Sequence, residues 1–266
     1  MDGVSGIDKT VESAAAAVAD IGDGASIAVG GFGLAGNPIA LIEALLAQGA
    51  SALSIVSNNC GVDDWGLGVL LHAHRIRKMT SSYVGENKEF ERQFLSGALE
   101  VELTPQGTLA EKLRAGGSGI AAFFTPTGVG TQVAEGGLPR RYDAEGRVAL
   151  ASPAKEVRTF ELGGVPREFV LEEAITTDFA LVHAATGDRH GNLIFNKAAR
   201  NFNPLAAMAG RVCIAQVEHL VEPGELDPDQ VHLPGIYVQR IVEVGDIEKR
   251  VERRTVRDAS AQPRGE

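Results

Sequence analysis

Short, fully apolar runs alternate along this chain with stretches whose apolar residues recur every three or four positions. Residues 11–20 ("VESAAAAVAD") have helical spacing, 26–32 ("SIAVGGF") read as a buried strand, and 38–48 ("PIALIEALLAQ") read as a second helix. The same strand-then-helix order recurs in 53–57 with 66–74, in 78–84 with 87–97, and in 99–105 with 107–117. Strands alternating with helices of this length predict an α/β fold, an open and mostly parallel sheet with helices on both faces.

Near residue 140 the pattern changes to short alternating runs broken by Asp, Gly and Pro, which predicts a small antiparallel excursion over about 138–172. Strand and helix character then resumes in "FALVHAATGD", "GNLIF", "NPLAAMAG" and "RVCIAQVEHLVEPG", with a last strand in "GIYVQRIVEV". One domain over 1–245 follows, with a charged tail over 246–266 that reads as solvated, disordered or docked on a partner. Its "KRVERR" run is a solvated charge run first.

A formal net charge of -10 repels nucleic acid and anionic membrane surfaces, so a phosphate-bearing ligand has to be held by local donors. No run approaches the roughly 18 apolar residues of a membrane span, and the first residues carry acids where a signal peptide would carry bases. A cytoplasmic location is the expectation. Cys60 and Cys213 are too few for a disulfide framework and lack zinc-ligand spacing, and His72 and His74 fall on different sides of a helix without a third ligand. No metal site is expected, and both thiols read as buried packing residues.

The 32 glycines cluster between apolar runs, most densely in "IAVGGFGLAGNP" over 27–38. This stretch contains the G-x-G-x-x-G of dinucleotide turns. The acidic residue that should bind the ribose at the end of the next strand is missing, because Ser57 is followed by Asn58 and Asn59. Asn37 suits a helix cap and Pro38 the first helical position, so the loop remains an anion-ready helix start. A tight turn packing helix on strand accounts for one or two of its glycines, and the backbone N–H groups of Gly30, Gly31, Phe32, Gly33, Leu34, Ala35 and Gly36 suit an anionic ligand. Asn58, Asn59 and Gln106 follow predicted strands, where open α/β sheets place ligands, although turn or cap duty explains each as well.

Residues 23–38 ("DGASIAVGGFGLAGNP") resemble the signature of the A (α) subunit of the family I coenzyme A transferases. The resemblance continues through "SNNCGVDDWGLGVLL", "SSYVGENKEFERQFLSGALEVELTPQGTLAEKLRAGG", "TPTGVGT", "EEAITTDFALV", "GNLIFNKAARNFNPLAAMAG" and "ELDPDQVHLPGIYVQRIV". It leaves out only the first residues and the tail. Ala35 stands where the family often has cysteine, and Asn37 where an apolar residue is common. The resemblance implies the fold of the CoA transferase superfamily and a ping-pong transfer of CoA, nearest to transfer from succinyl-CoA to a 3-oxoacid such as acetoacetate. A 3-oxoadipate or other short-chain acid transferase and a non-catalytic, regulatory acyl-CoA-binding protein are the alternatives.

It also implies CoA and acyl-CoA as substrates with no permanently bound cofactor, and a B-type CoA transferase partner in a heterodimer or A2B2 heterotetramer. In such enzymes the nucleophilic glutamate sits on that partner in a Ser-Glu-Asn-Gly setting, which this chain lacks. Glu86, in "GEN", is then a structural loop acid, a cleft residue opposite the partner's nucleophile, or the nucleophile itself. The family's CoA segment falls on Gly30 to Gly36, and Asn58, Asn59 and Gln106 match residues that orient the carboxylate or polarise the thioester carbonyl.

Overall fold

The computed structural model describes residues 7–85 and 87–250. Glu86 and the tail from residue 251 onward, both singled out by the sequence, lie outside the described residues.

The first half of the chain is a run of strand–helix units. In order they are α1 (Ala14–Val18), β1 (Ser26–Val29), α2 (Ile39–Gln48), β2 (Leu53–Val56), α3 (Gly68–His72), β3 (Ile76–Ser81), α4 (Lys88–Leu95), β4 (Glu100–Leu103) and α5 (Gln106–Gly117). Local chemistry sets their ends. Ser13 accepts from the Ala16 N–H at the start of α1, Asn87 accepts from the Phe90 N–H at the start of α4, and α2 stops at Gly49 in the left-handed conformation.

The chain continues through β5 (Ala122–Thr125), α6 (Gln132–Glu135), β6 (Pro139–Tyr142), β7 (Val148–Ala151), β8 (Val157–Leu162), β9 (Val165–Glu173), β10 (Thr177–Asp188), β11 (Leu193–Ile194), α7 (Asn203–Ala209), β12 (Gly210–Val221) and β13 (Arg240–Glu243). The main sheet has the order β13-β12-β10-β1-β2-β3-β4 with all neighbours parallel, and β11 adds antiparallel to β10. Antiparallel pairing spans 122–173 in place of the expected 138–172, because β5 leaves the main sheet early and pairs with β9, which in turn pairs with β8.

Alternation along the central strands buries both faces of the main sheet. On β1, Ile27 and Val29 join the cluster under α1 to α4, which contains Leu41, Leu45, Leu70 and Phe90, whereas Ala28 points to the cluster with Leu109 and Leu113 of α5 and Ala206 of α7. Leu181 and Val182 of β10 divide in the same way. A near-continuous apolar strand is what such a doubly covered sheet requires.

The excursion is fastened by charge. Glu172 on β9 is 1% exposed and accepts from Lys112 of α5 at 3.2 Å and from Lys155 at 2.6 Å. Removing one member of a buried ion cluster strands the others, so Glu172→Ala is expected to cost about 3 kcal/mol in a urea titration with unchanged m. Arg147→Ala, which breaks a solvent-exposed pair with Asp143, should stay within about 1 kcal/mol of the parent in the same titration.

Candidate active site

β1 and β10 lie side by side, and the chain departs from them toward opposite edges of the sheet. Val29, the last residue of β1, lies opposite Leu181, while β10 and β12 run on together to Asp188 and Val221. A step therefore opens at the carboxyl ends of the strands, the position where open α/β sheets bind ligands. The glycine loop fills that step.

Inside the loop Phe32 and Ala35 exchange backbone hydrogen bonds at 3.0 Å, and the Gly30 N–H donates to Leu181. The donors outside this internal pairing are Gly31, Gly33, Leu34 and Gly36, fewer than the whole run from Gly30 to Gly36 that the sequence offers. Nor is the start of α2 open to an anion. The Leu41 N–H donates to buried Gln216, and Asn37 does not cap the helix but turns back to donate to the Gly33 carbonyl at 3.3 Å.

Asn203, fully buried at the start of α7, holds the loop from below. Its amide nitrogen donates to the carbonyls of Gly36 at 3.0 Å and Ala199 at 2.8 Å, and its oxygen accepts from the His183 N–H at 2.9 Å. A Cβ on Gly30 would come within 1.9 Å of that oxygen, so Gly30 is glycine to admit Asn203. Gly33 differs: it has φ +57 and open space where a Cβ would stand. Phe32 is 49% exposed at the loop tip.

On the β2 side of the loop three strand ends bring the amides together. Gln106, the first residue of α5, donates from Nε2 to Asn58 Oδ1 at 3.0 Å, and Ser82 Oγ donates to the same oxygen at 2.9 Å. Asn58 is 3% exposed and Asn59 beside it 9%, whereas Gln106 is exposed and keeps a second Nε2 hydrogen for a ligand. Asn87 of the "GEN" stretch is committed to capping α4 and to the Cys60 carbonyl. Burial pushes the Cys60 thiol up, which suits packing and disfavours a nucleophile.

On the β10 side lies a cavity of about 380 Å³ whose walls include Leu34, Ala35, Trp65, Ala184 and Ile247. His183 forms part of its floor, with Nδ1 at 3.2 Å from the Asn37 carbonyl and Nε2 at 3.1 Å from Glu218. Burial holds this imidazole below its ordinary pKa of 6.5, against the opposing pull of Glu218 and of the Asn37 carbonyl. Glu218 also receives Lys249 at 2.7 Å, so the start of the charged tail is docked on the fold.

Known proteins bear on this arrangement. The profile of the coenzyme A transferase family matches residues 11–244. The chain belongs to the coenzyme A transferase family. Within the family it is 66% identical over 251 residues to a Mycobacterium tuberculosis H37Rv protein, named as the A chain of a probable succinyl-CoA:3-ketoacid coenzyme A transferase, covering 94% of this chain and 100% of that one. It is 54% identical over 253 residues to the corresponding chain of the succinyl-CoA:3-ketoacid coenzyme A transferase of Xanthomonas campestris pv. campestris strain B100, covering 95% and 96%. In three dimensions it matches an acyl-CoA transferase of E. coli O157:H7, solved as a thioester complex with CoA, with a TM-score of 0.73 and 25% identity. That match covers 92% of this chain and 49% of the solved one, so the chain spans about half its length.

For a coenzyme A transferase, an exposed amide donor beside a glycine loop is suitable equipment, because the reaction passes charge to a carbonyl oxygen. Among the described residues no three His, Cys, Asp or Glu side chains gather as a metal site. Asn203, His183 and Glu218 escape a reading for chemistry along the chain. The only signal for the first is its place in "ARNFNP", where two asparagines interrupt an apolar segment.

Two outcomes check this geometry. Gly33→Ala should fold with a loss of about 1 kcal/mol, from the left-handed backbone alone, yet change the kinetics of CoA transfer if the loop N–H groups meet the ligand. Gly30→Ala should destabilise more, since Asn203 has to move; equal thermal shifts for the two variants would remove Asn203 as the loop's support. His183 should titrate below 6.5 by NMR. With the folded pKa lowered, its contribution to stability is complete above the unfolded value near 6.5 and is lost as the pH falls below it.

Proposed function

We propose that this chain is the A-type half of a succinyl-CoA:3-ketoacid coenzyme A transferase, which moves CoA from succinyl-CoA to a 3-oxoacid such as acetoacetate. The observation that carries the reading is the oriented Gln106–Asn58 amide pair at the carboxyl edge of the sheet, in a chain that matches relatives of this name along their whole length. The E. coli acyl-CoA transferase, about twice as long, supports the need for as much protein again to complete a site. A B-type partner supplies that half, in a heterodimer or an A2B2 assembly.

In this mechanism the partner's nucleophilic glutamate attacks the thioester carbonyl, and the resulting oxyanion collapses to expel CoA thiolate and leave an acyl-glutamyl anhydride. The thiolate then attacks the glutamyl carbonyl, which frees succinate and leaves a glutamyl-CoA thioester. The 3-oxoacid carboxylate reverses both steps. One thioester is exchanged for another, so no ATP is consumed and CoA enters as a substrate. Gln106 donates its free N–H to the developing oxyanion, with Asn58 fixing its rotamer and Asn59 lining the same wall. The Gly31, Gly33, Leu34 and Gly36 N–H groups add donors from the loop.

Neutral amides suit this task because a cation there would hold the ground-state carboxylate too firmly. A cytoplasmic location goes with this reading. Among the described residues no helix is long and apolar enough to cross a membrane.

The test is to purify the chain with its partner, add acetoacetyl-CoA and record intact masses after denaturation. A covalent CoA adduct on the partner alone is expected; an adduct on this chain would make Glu86 the nucleophile and overturn the division of labour. Faster transfer to 3-oxoadipate than to acetoacetate would reassign the acid. Gln106→Ala should lower kcat about 100-fold with a smaller change in KM, the mark of a bond that strengthens in the transition state.

A further inference from the structure

The chain continues past the family segment, which ends at residue 244, and borders the cavity beside the glycine loop. Ile247, Glu248 and Lys249 line that cavity together with Leu34 and Ala35. Two anchors hold the segment down. Lys249 Nζ sits 2.7 Å from the carboxylate of Glu218, whose side chain is 9% exposed and also meets His183. The Arg250 guanidinium lies 4.1 Å from the ring centroid of Trp65, with Asp64 at 3.5 Å.

Both anchors are cationic, and both are partly exposed. Lys249 is 47% exposed, Arg250 44% and Asp64 80%, so the contacts are open to screening by salt and to competition by another anion. The ligand that the preceding reading brings to the loop, an acyl-CoA, carries several phosphate charges.

We propose that residues Ile247–Arg250 form an electrostatic latch on this cavity, closed while Lys249 holds Glu218 and Arg250 covers Trp65, and displaced when an acyl-CoA occupies the glycine loop. The ligand part of this inference rests on the transferase reading; the docked latch does not. Because acyl-CoA has to compete with the closed state, the latch raises the apparent KM by the reciprocal of the fraction of molecules that are open.

Trp65 is the single tryptophan of the chain, so its fluorescence reports the latch directly. In the full chain, acrylamide quenching of Trp65 should rise about twofold in Arg250→Ala and in Lys249→Ala, and in the parent at about 0.5 M NaCl, as the cation–π cover is lost. Quenching that is the same in the parent and both variants overturns the latch. In the complex with its partner, the Trp65 signal is isolated by subtracting a Trp65→Phe preparation. Succinyl-CoA should then raise quenching in the parent to the level of Arg250→Ala, and the Lys249→Ala, Arg250→Ala double variant should show a KM for succinyl-CoA lowered about threefold.

A fall in quenching on adding succinyl-CoA, or an unchanged KM in the double variant, overturns displacement by ligand. Failure of the transferase reading is separate: it is an absence of CoA transfer by the parent complex, whatever the quenching shows.

Discussion

The glycine loop holds its shape because one buried amide, Asn203, replaces the strand pairing that β1 gives up at Val29. Its oxygen takes the His183 N–H of the overhanging β10, and its nitrogen ties Gly36 to Ala199. A buried polar side chain is costly unless its partners are present, and here each of them belongs to a segment that borders the cleft. The loop, the β10 overhang and the turn before α7 are thereby fixed relative to one another. Gly30 follows as a consequence, being the residue that gives the amide room.

The step so formed has two unlike sides. Toward β2, side-chain amides converge from the ends of β2, β3 and β4, with Asn58 held by both Ser82 and Gln106. Toward β10, an apolar cavity rests on the His183–Glu218 pair. The first side suits the stabilisation of charge on a reacting carbonyl, and the second suits the housing of a small organic group. In the proposed assembly the nucleophile arrives from the partner, and this chain contributes a preorganised wall that need not rearrange during the reaction.

Electrostatics follow the same local logic. A chain with a net charge of -10 does not attract an anionic substrate as a whole. Its cations are instead spent in place: Lys112 and Lys155 neutralise Glu172 where the excursion joins the main sheet, and Lys249 meets Glu218 at the cavity. What faces the β2 side of the step is amide, in side chain and backbone.

The order of strands and helices up to α5 could be read from apolar spacing, because a strand buried on both faces and a helix with one apolar stripe leave distinct local patterns. The amides at the strand ends and the glycine loop were legible for a similar reason: residue type and position relative to a strand are local facts. Family membership was legible too, from long motifs in a fixed order. Tertiary structure decided what depends on partners distant in sequence. Pairing of β5 with β9 set the extent of the excursion, Asn203 took the space beside Gly30, and Gln216 took the N–H that would have left the start of α2 free. The docking of Lys249 and Arg250 belongs here as well, since a charge run looks solvated until the fold brings Glu218 and Trp65 beneath it. Spacing along a chain records which face a residue occupies; only closure of the chain determines which group waits on the other side.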